Sequence, residues 1–295
     1  MRDKLISLSE AASLIPSGCT LGLGGLMLRR HPMALIREII RQGKKDLTLQ
    51  TWVGGIDVDL LVGAGCVRRV EAAYEGLGPL GAAPNVRRAA EAGTIELEDY
   101  SETTMISRFR AAAMGIPFIP TRVLKGTGMA DQEHVRPIVD PFSGEKLHAV
   151  AAAKPDVAIF HGYWADRYGN VQAPPGRNSD DVDTTIAKAA DKVIVTVEKI
   201  VRHEDVMRRP TLTYIPHHWV TAVVEVPTGA HPGNCDTLYE PDFAALETYL
   251  AATKDAGSFR VWLSRHVIEP KDDAEYLARA TTPGKLAELR MWSVA

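Results

Sequence analysis

The 295-residue chain carries 34 basic and 37 acidic side chains, a formal net charge of -3, and is 45% hydrophobic. This is the composition of an ordinary globular protein: it excludes a disordered chain and, with no broad basic surface or zinc-finger spacing, a polynucleotide partner. No apolar run approaches the ~20 residues that span a bilayer, and Cys19, Cys66 and Cys235 are too scattered for a disulfide framework, so reduced thiols in a cytoplasmic protein are expected.

Ser7 or Ser9 is placed to cap a first helix reaching Ile15, and Glu10 lies three residues after Ser7, as a capping box would have it. Thr20–Leu23 reads as a short buried strand stopped by Gly24-Gly25, and Pro32 opens an amphipathic helix with Ala34, Leu35, Ile36 and Ile39 on its apolar face. The pattern repeats. Residues 47–53 form a strand ending at Gly54-Gly55, residues 57–62 a short helix, and residues 67–73 a third strand running into Tyr74-Glu75-Gly76-Leu77-Gly78. A helix over 85–92 and a strand over 95–100 lead to a helix over 104–114, with Ser101 as its cap and Glu102 at the favourable end of its dipole. Residues 118–122, followed by Gly126-Thr127-Gly128, read as another strand leaving toward the same edge, and residues 130–145 as a polar surface excursion. Then come a buried strand over 157–161, a turn at Gly169-Asn170, a helix over 183–190 and a β-branched strand over 192–197. His217-His218-Trp219 turns into a last strand over 220–226, and the chain from Phe243 onward is helical. The first three strands each end in glycine, with helical material between them, and predict an α/β fold: an open, mainly parallel sheet with helices on both faces and a C-terminal helical cover, in a single domain over 1–295.

In such a sheet, ligands bind at the carboxyl ends of the strands, where turns leave backbone N–H groups facing outward. The candidate binding residues are therefore Gly24, Gly25, Gly54, Gly55, Gly76, Gly78, Gly126 and Gly128, with Arg29, Arg30 and His31 adding positive charge to the rim. A phosphate-binding loop, a full dinucleotide fingerprint and a nucleophile elbow are all missing from the sequence. His161, His217 and His218 lack ligand spacing to a carboxylate, so no metal is expected. Two carboxylates sit near the glycine turns. Glu75, at a strand end beside backbone donors, could attack an acyl carbonyl; Glu102, at a helix start, suits an electrostatic or hydrogen-bonding role.

Four sets of residues carry a resemblance from Leu8 to Leu277: Gly22-Leu-Gly-Gly-Leu with Arg30-His31-Pro32; Glu98-Asp-Tyr-Ser; Ala111-Ala-Ala-Met-Gly-Ile-Pro-Phe-Ile-Pro; and Gly229-Ala-His-Pro-Gly-Asn-Cys with Asp273-Ala-Glu-Tyr-Leu. In order and spacing the chain resembles the α subunit of family I CoA-transferases of the glutaconate type. The resemblance implies an open α/β sheet, a partnering CoA-transferase β subunit in a heterodimer or heterotetramer, coenzyme A thioesters and carboxylic acids as substrates, and no permanently bound cofactor. It also implies that the glutamate forming the covalent thioester lies in the β subunit, within Glu-Ser/Asn-Gly; Glu75-Gly76 departs from that triplet. Steroid-degrading relatives that open a ring of a cyclic β-keto acyl-CoA carry Tyr-Asp-Glu where this chain has Tyr100-Ser101-Glu102, and the glutaconate enzyme has Gln in the place of Glu102. Three functions follow: CoA transfer, ring-opening hydrolysis with Glu102 as the catalytic carboxylate, or a non-catalytic subunit of either complex.

Overall fold

Ser7 Oγ accepts from Glu10 N at 3.2 Å, and the Glu10 carboxylate accepts from Ser7 N at 2.8 Å, closing the capping box that starts helix α1 (Leu8–Ser13). The computed structural model describes residues 1–175 and 182–291. After α1 the chain alternates through β1 (Thr20–Leu23), α2 (Met33–Arg41), β2 (Leu47–Gly54), α3 (Ile56–Gly63), β3 (Val67–Glu75), α4 (Pro84–Glu91), β4 (Glu96–Asp99) and α5 (Glu102–Ala113). Strands β5 (Phe118–Thr121), β6 (Val135–Val139) and β7 (Lys146–Ala151) precede β8 (Val157–Ala165), β9 (Val171–Gln172), α6 (Val182–Ala189) and β10 (Lys192–Ile200). Next come α7 (His203–Arg208), β11 (Thr213–Ile215), β12 (Ala222–Glu225) and the helices α8 (Phe243–Ala252), α9 (Ala256–Leu263), α10 (Asp273–Ala280) and α11 (Pro283–Met291).

In the main sheet β4, β3, β2, β1, β8, β10 and β12 lie side by side in that order, every neighbouring pair parallel. Their carboxyl ends therefore share one edge. Period-two alternation sorts the side chains between two cores. Val157 and Ile159 of β8 join one apolar cluster while Ala158 and Phe160 join the other, and Ala222 and Val224 of β12 are divided from Val223 in the same way. The first cluster is closed by α1, α2 and α3 together with Leu246, Tyr249 and Phe259 of the C-terminal helices. The second is closed by Met105 and Phe109 of α5 and Ile186 of α6. Helices on both faces are what an all-parallel order requires, since neither face can be left to water.

One expectation is corrected. Residues 118–121 do not leave toward the main edge: β5 pairs antiparallel with β7, as does β6, in a separate three-stranded sheet. Pro120 and Pro137 lack the N–H that a central strand must donate, which puts β5 and β6 on either side of β7. The stretch 130–145 runs over the surface as expected, and carries β6 and the turn into β7. Among the described residues no helix is long and apolar enough to cross a membrane.

Candidate active site

At the carboxyl edge, the turns after β1 and β2 are interlocked. Gly25 has φ +89°, and Met27 and Arg30 adopt φ 57° and 52°, so the loop from 24 to 31 winds through left-handed backbone that costs non-glycine residues about 1 kcal/mol each. His31 holds it. Its Nε2 lies 2.8 Å from Met27 O, and its Nδ1 lies 3.2 Å from Gly24 O and 2.9 Å from Asp57 Oδ2. Each ring nitrogen faces only acceptors, so both carry a proton. Burial alone would lower the His31 pKa, but the Asp57 carboxylate and the two carbonyls outweigh it and raise it above the ordinary histidine value. Asp57 Oδ1 also accepts from Gly55 N at 2.8 Å, so the His31–Asp57 pair staples one glycine turn to the other.

The remaining edge glycines join this arrangement. Gly76 N donates to Gly54 O at 3.3 Å, and a Cβ on Gly78 would stand 3.0 Å from Met27 Cε. A Cβ on Gly55 would collide with Met27 O, and one on Gly24 would come within 2.6 Å of Asp183 Oδ1 and Phe160 Cβ. Gly24, Gly25, Gly54, Gly55, Gly76 and Gly78 are thus brought together. Gly126 and Gly128 are not part of the packing: nothing lies within 4 Å of where their Cβ atoms would be, and Gly126, at φ +76°, serves its own turn.

The charge expected on the rim is corrected at Arg30. Its side chain is wholly buried and ion-paired with Asp183, with Asp236 Oδ1 3.8 Å away. Asp183 in turn accepts from Gly25 N at 2.9 Å, so Arg30 supports the turn from beneath instead of facing a ligand. Arg29 is half-buried and has no ion-pair partner among the described residues.

Both candidate carboxylates reach the same edge. Glu75 ends β3 opposite Gly54, and burial, followed by the neighbouring Asp99 carboxylate, pushes it up to about 7. Ser101 Oγ accepts from Thr104 N at 3.2 Å and so starts α5 at Glu102, which is exposed. Trp52 Nε1 donates to Glu102 O at 3.1 Å, tying the helix start to β2 just before the Gly54-Gly55 turn. Sequence reasoning missed the Asp57 and Trp52 contacts, because neither residue belongs to a glycine motif.

Two groups of metal-type donors lie elsewhere: His161, Glu198 and Cys235, and Glu71, Glu98 and His134. The acids of the second are engaged by Arg69 and Arg108, and in the first His161 Nε2 bonds Glu198 directly at 2.7 Å, so both sets are occupied with internal pairing.

With this geometry in view, comparison with known proteins is decisive. The family described as "Coenzyme A transferase" matches residues 5–226. The chain belongs to the coenzyme A transferase family. The A subunit of glutaconate CoA-transferase from Acidaminococcus fermentans is 36% identical over 294 residues, covering 93% of this chain and 91% of that protein. The crystal structure of that bacterium's glutaconate coenzyme A-transferase superposes with a TM-score of 0.93 at 33% identity, covering 97% of this chain and 95% of the other. An uncharacterised protein of Archaeoglobus fulgidus is 39% identical over 98% of this chain, but the chain spans only 65% of its length. The cholesterol ring-cleaving hydrolase IpdA subunit of Rhodococcus jostii is 32% identical, covering 92% of this chain and 94% of that protein. The resemblance carried by the sequence motifs therefore holds for family, for α-subunit type and for fold.

Proposed function

We propose that this coenzyme A transferase chain is the α subunit of a heteromeric enzyme that moves CoA from an acyl-CoA to a free carboxylic or dicarboxylic acid. The attacking glutamate comes from a partner β subunit, and the interlocked glycine turns form this chain's wall of the shared site. The observation that carries the reading is the pairing of the Gly24-Gly25 and Gly54-Gly55 turns by His31 and Asp57 at the carboxyl edge, in a chain that has no Glu-Ser/Asn-Gly segment of its own. The N–H groups of Gly24, Gly25, Gly55 and Gly76 are given to Ile159 O, Asp183 Oδ1, Asp57 Oδ1 and Gly54 O, so on this reading the turns serve as a rigid, close-packed wall that shapes the site and the oxyanion donors come from elsewhere in it. Glu75, with its pKa near neutrality, can keep a proton and so accept or donate a hydrogen bond at this rim without adding a full charge. CoA enters as the thioester substrate, and the reading needs no resident cofactor.

The test is reconstitution. The chain is purified alone and with a co-expressed β subunit, and CoA exchange between acetyl-CoA and a panel of C4 to C6 acids is followed. Exchange only in the complex is expected; full exchange by the isolated chain would refute it.

A second reading rests on Glu102. Its exposure at the start of α5 on the same edge supports a role in directing water at a β-keto carbon of a cyclic acyl-CoA. In that case a partner remains necessary, but the reacting carboxylate belongs to this chain.

A further inference from the structure

At the other half of the carboxyl edge, β8, β10 and the loop after β12 enclose a cavity of about 650 Å³ that shares no lining residue with the glycine turns. Its walls are apolar: Trp164, Val201, Leu212, Pro227 and Leu238 face it. Its floor carries Glu198, whose Oε1 accepts from His161 Nε2 at 2.7 Å and from Tyr239 O–H at 2.8 Å, and whose Oε2 accepts from Thr228 N at 2.8 Å. Burial would raise the Glu198 pKa, but these donors hold it below the ordinary glutamate value, so the floor is an anion. Its mouth is basic. Lys199, Arg208 and Arg209 stand there with Asp205, a local excess of positive charge in a chain whose net charge is -3, while Arg290 reaches the floor side, donating to Thr228 Oγ1 at 2.7 Å. Asp205 pairs with Arg208 at 3.2 Å, while Lys199 and Arg209 have no ion-pair partner among the described residues.

The mouth is also built. Buried Gln172 donates through Nε2 to Val206 O at 3.1 Å, Arg209 O at 2.8 Å and Thr213 Oγ1 at 3.0 Å, and its Oε1 accepts from Trp164 Nε1 at 3.3 Å. One amide thus fixes the turn bearing the arginines to the tryptophan of the wall. A cavity of this size lies within the range that holds small-molecule ligands, roughly 300–1,000 Å³.

We propose that this cavity binds an amphipathic anion: an apolar body seated among Trp164, Leu212 and Leu238, with a carboxylate or phosphate head held at the mouth by Lys199 and Arg209. The floor sets the direction of entry, since an anionic head placed there would face Glu198, whose oxygens are already committed to fixed donors. Head outward and body inward sets the anion against the exposed Lys199 and Arg209 and the apolar body against the walls. This assignment does not depend on which CoA reaction the chain serves.

The full-length chain is titrated calorimetrically with octanoate, octyl phosphate, octanoyl-CoA and octanol. Saturable binding of the anions is expected, with octanol weaker by about tenfold or more, the scale of a lost charge-assisted contact. Lys199→Ala combined with Arg209→Ala should weaken the anions by about the same factor, Leu212→Trp should fill the cavity and abolish binding, and Arg87→Ala on α4 should change nothing. Binding of octanoate without octanoyl-CoA marks a free-acid ligand, and tighter binding of octanoyl-CoA marks a thioester phosphate; both sustain the shared chemistry. Because Lys199 and Arg209 are exposed, their variant retains the fold, as circular dichroism will verify. Failure of every anion to bind, equal binding of octanol, or unchanged affinity in the Lys199→Ala, Arg209→Ala variant overturns the proposal.

Discussion

His31 is the residue on which the glycine edge turns. Removing its ring leaves Asp57 buried at 0% exposure without its counter-charge, so His31→Ala should destabilise the chain by about 3 kcal/mol or more in urea unfolding. Its pKa is raised in the folded chain, so its contribution is fully present below the unfolded value of 6.5 and is lost as pH rises through the folded value. His31→Gln should therefore narrow its stability deficit on the alkaline side of 6.5; a deficit independent of pH would show that the imidazolium is not what holds the turns. Glu75 follows the same sign by a different route. A carboxyl raised from 4.5 to about 7 favours folding while protonated and loses that contribution as pH climbs through this window. Glu75→Gln should flatten the stability profile between those values, and an unaltered slope would place the titrating group elsewhere. Gly25→Ala is expected to cost about 1 kcal/mol or more, because its φ of +89° is left-handed and the new Cβ would stand 2.7 Å from Arg29 O. A valine there would disturb the loop itself, so loss of activity in that variant would say nothing about contact with substrate.

Among the elements, those with strong local signals were legible in the sequence. Ser7 with Glu10, Ser101 before α5, and the glycine stops of β1 and β2 each place a boundary by chemistry confined to a few residues. What failed was pairing. Nothing local in Phe118-Ile119-Pro120-Thr121 announces β7 as its partner, because Phe118 meets Ala151 far along the chain and the register is decided by that distant strand. Charge was misplaced for a similar reason: Arg30 follows Arg29 directly, yet one is sealed against Asp183 and the other is half-buried at the surface, a difference set by α6. The motifs at Gly229 and Asp273, which supported the family resemblance, turn out to meet each other. Tyr276 O–H lies 3.0 Å from His231 Nδ1, and Arg37 of α2 reaches Asp273 Oδ1 at 2.9 Å with its guanidinium 3.6 Å from the Tyr276 ring. This joint fastens the C-terminal cover to the first half of the sheet. Arg37→Ala should strip the joint of its cation and cost about 3 kcal/mol or more, whereas Arg37→Met, which keeps the bulk, should cost less; equal losses would assign the joint to the charge alone, with nothing from packing.

Over the whole molecule, one parallel sheet supplies an edge with two different halves. The half at β1 to β4 presents glycine turns with carboxylates at the rim, and the half at β8 to β12 presents an apolar cavity with a basic mouth. The first half could be read from the sequence because glycine doublets mark it. The second could not, since its lining is gathered from positions between Tyr163 and Arg290 with no common motif. On the proposed function, the glycine half completes an active site whose nucleophile is carried by another chain. Covalent trapping tests this at the reacting atom: the assembled complex is incubated with acyl-CoA in the absence of acceptor acid, the product is captured with borohydride or hydroxylamine, and the modified residue is located by mass spectrometry. A modified glutamate in the partner β subunit is expected, with Glu102→Gln retaining most of the exchange rate. The transferase reading is contradicted if no covalent adduct forms, no acid-dependent exchange is seen, and Glu102→Gln lowers hydrolysis of a cyclic acyl-CoA by about 10²-fold or more, the usual cost of losing a general base.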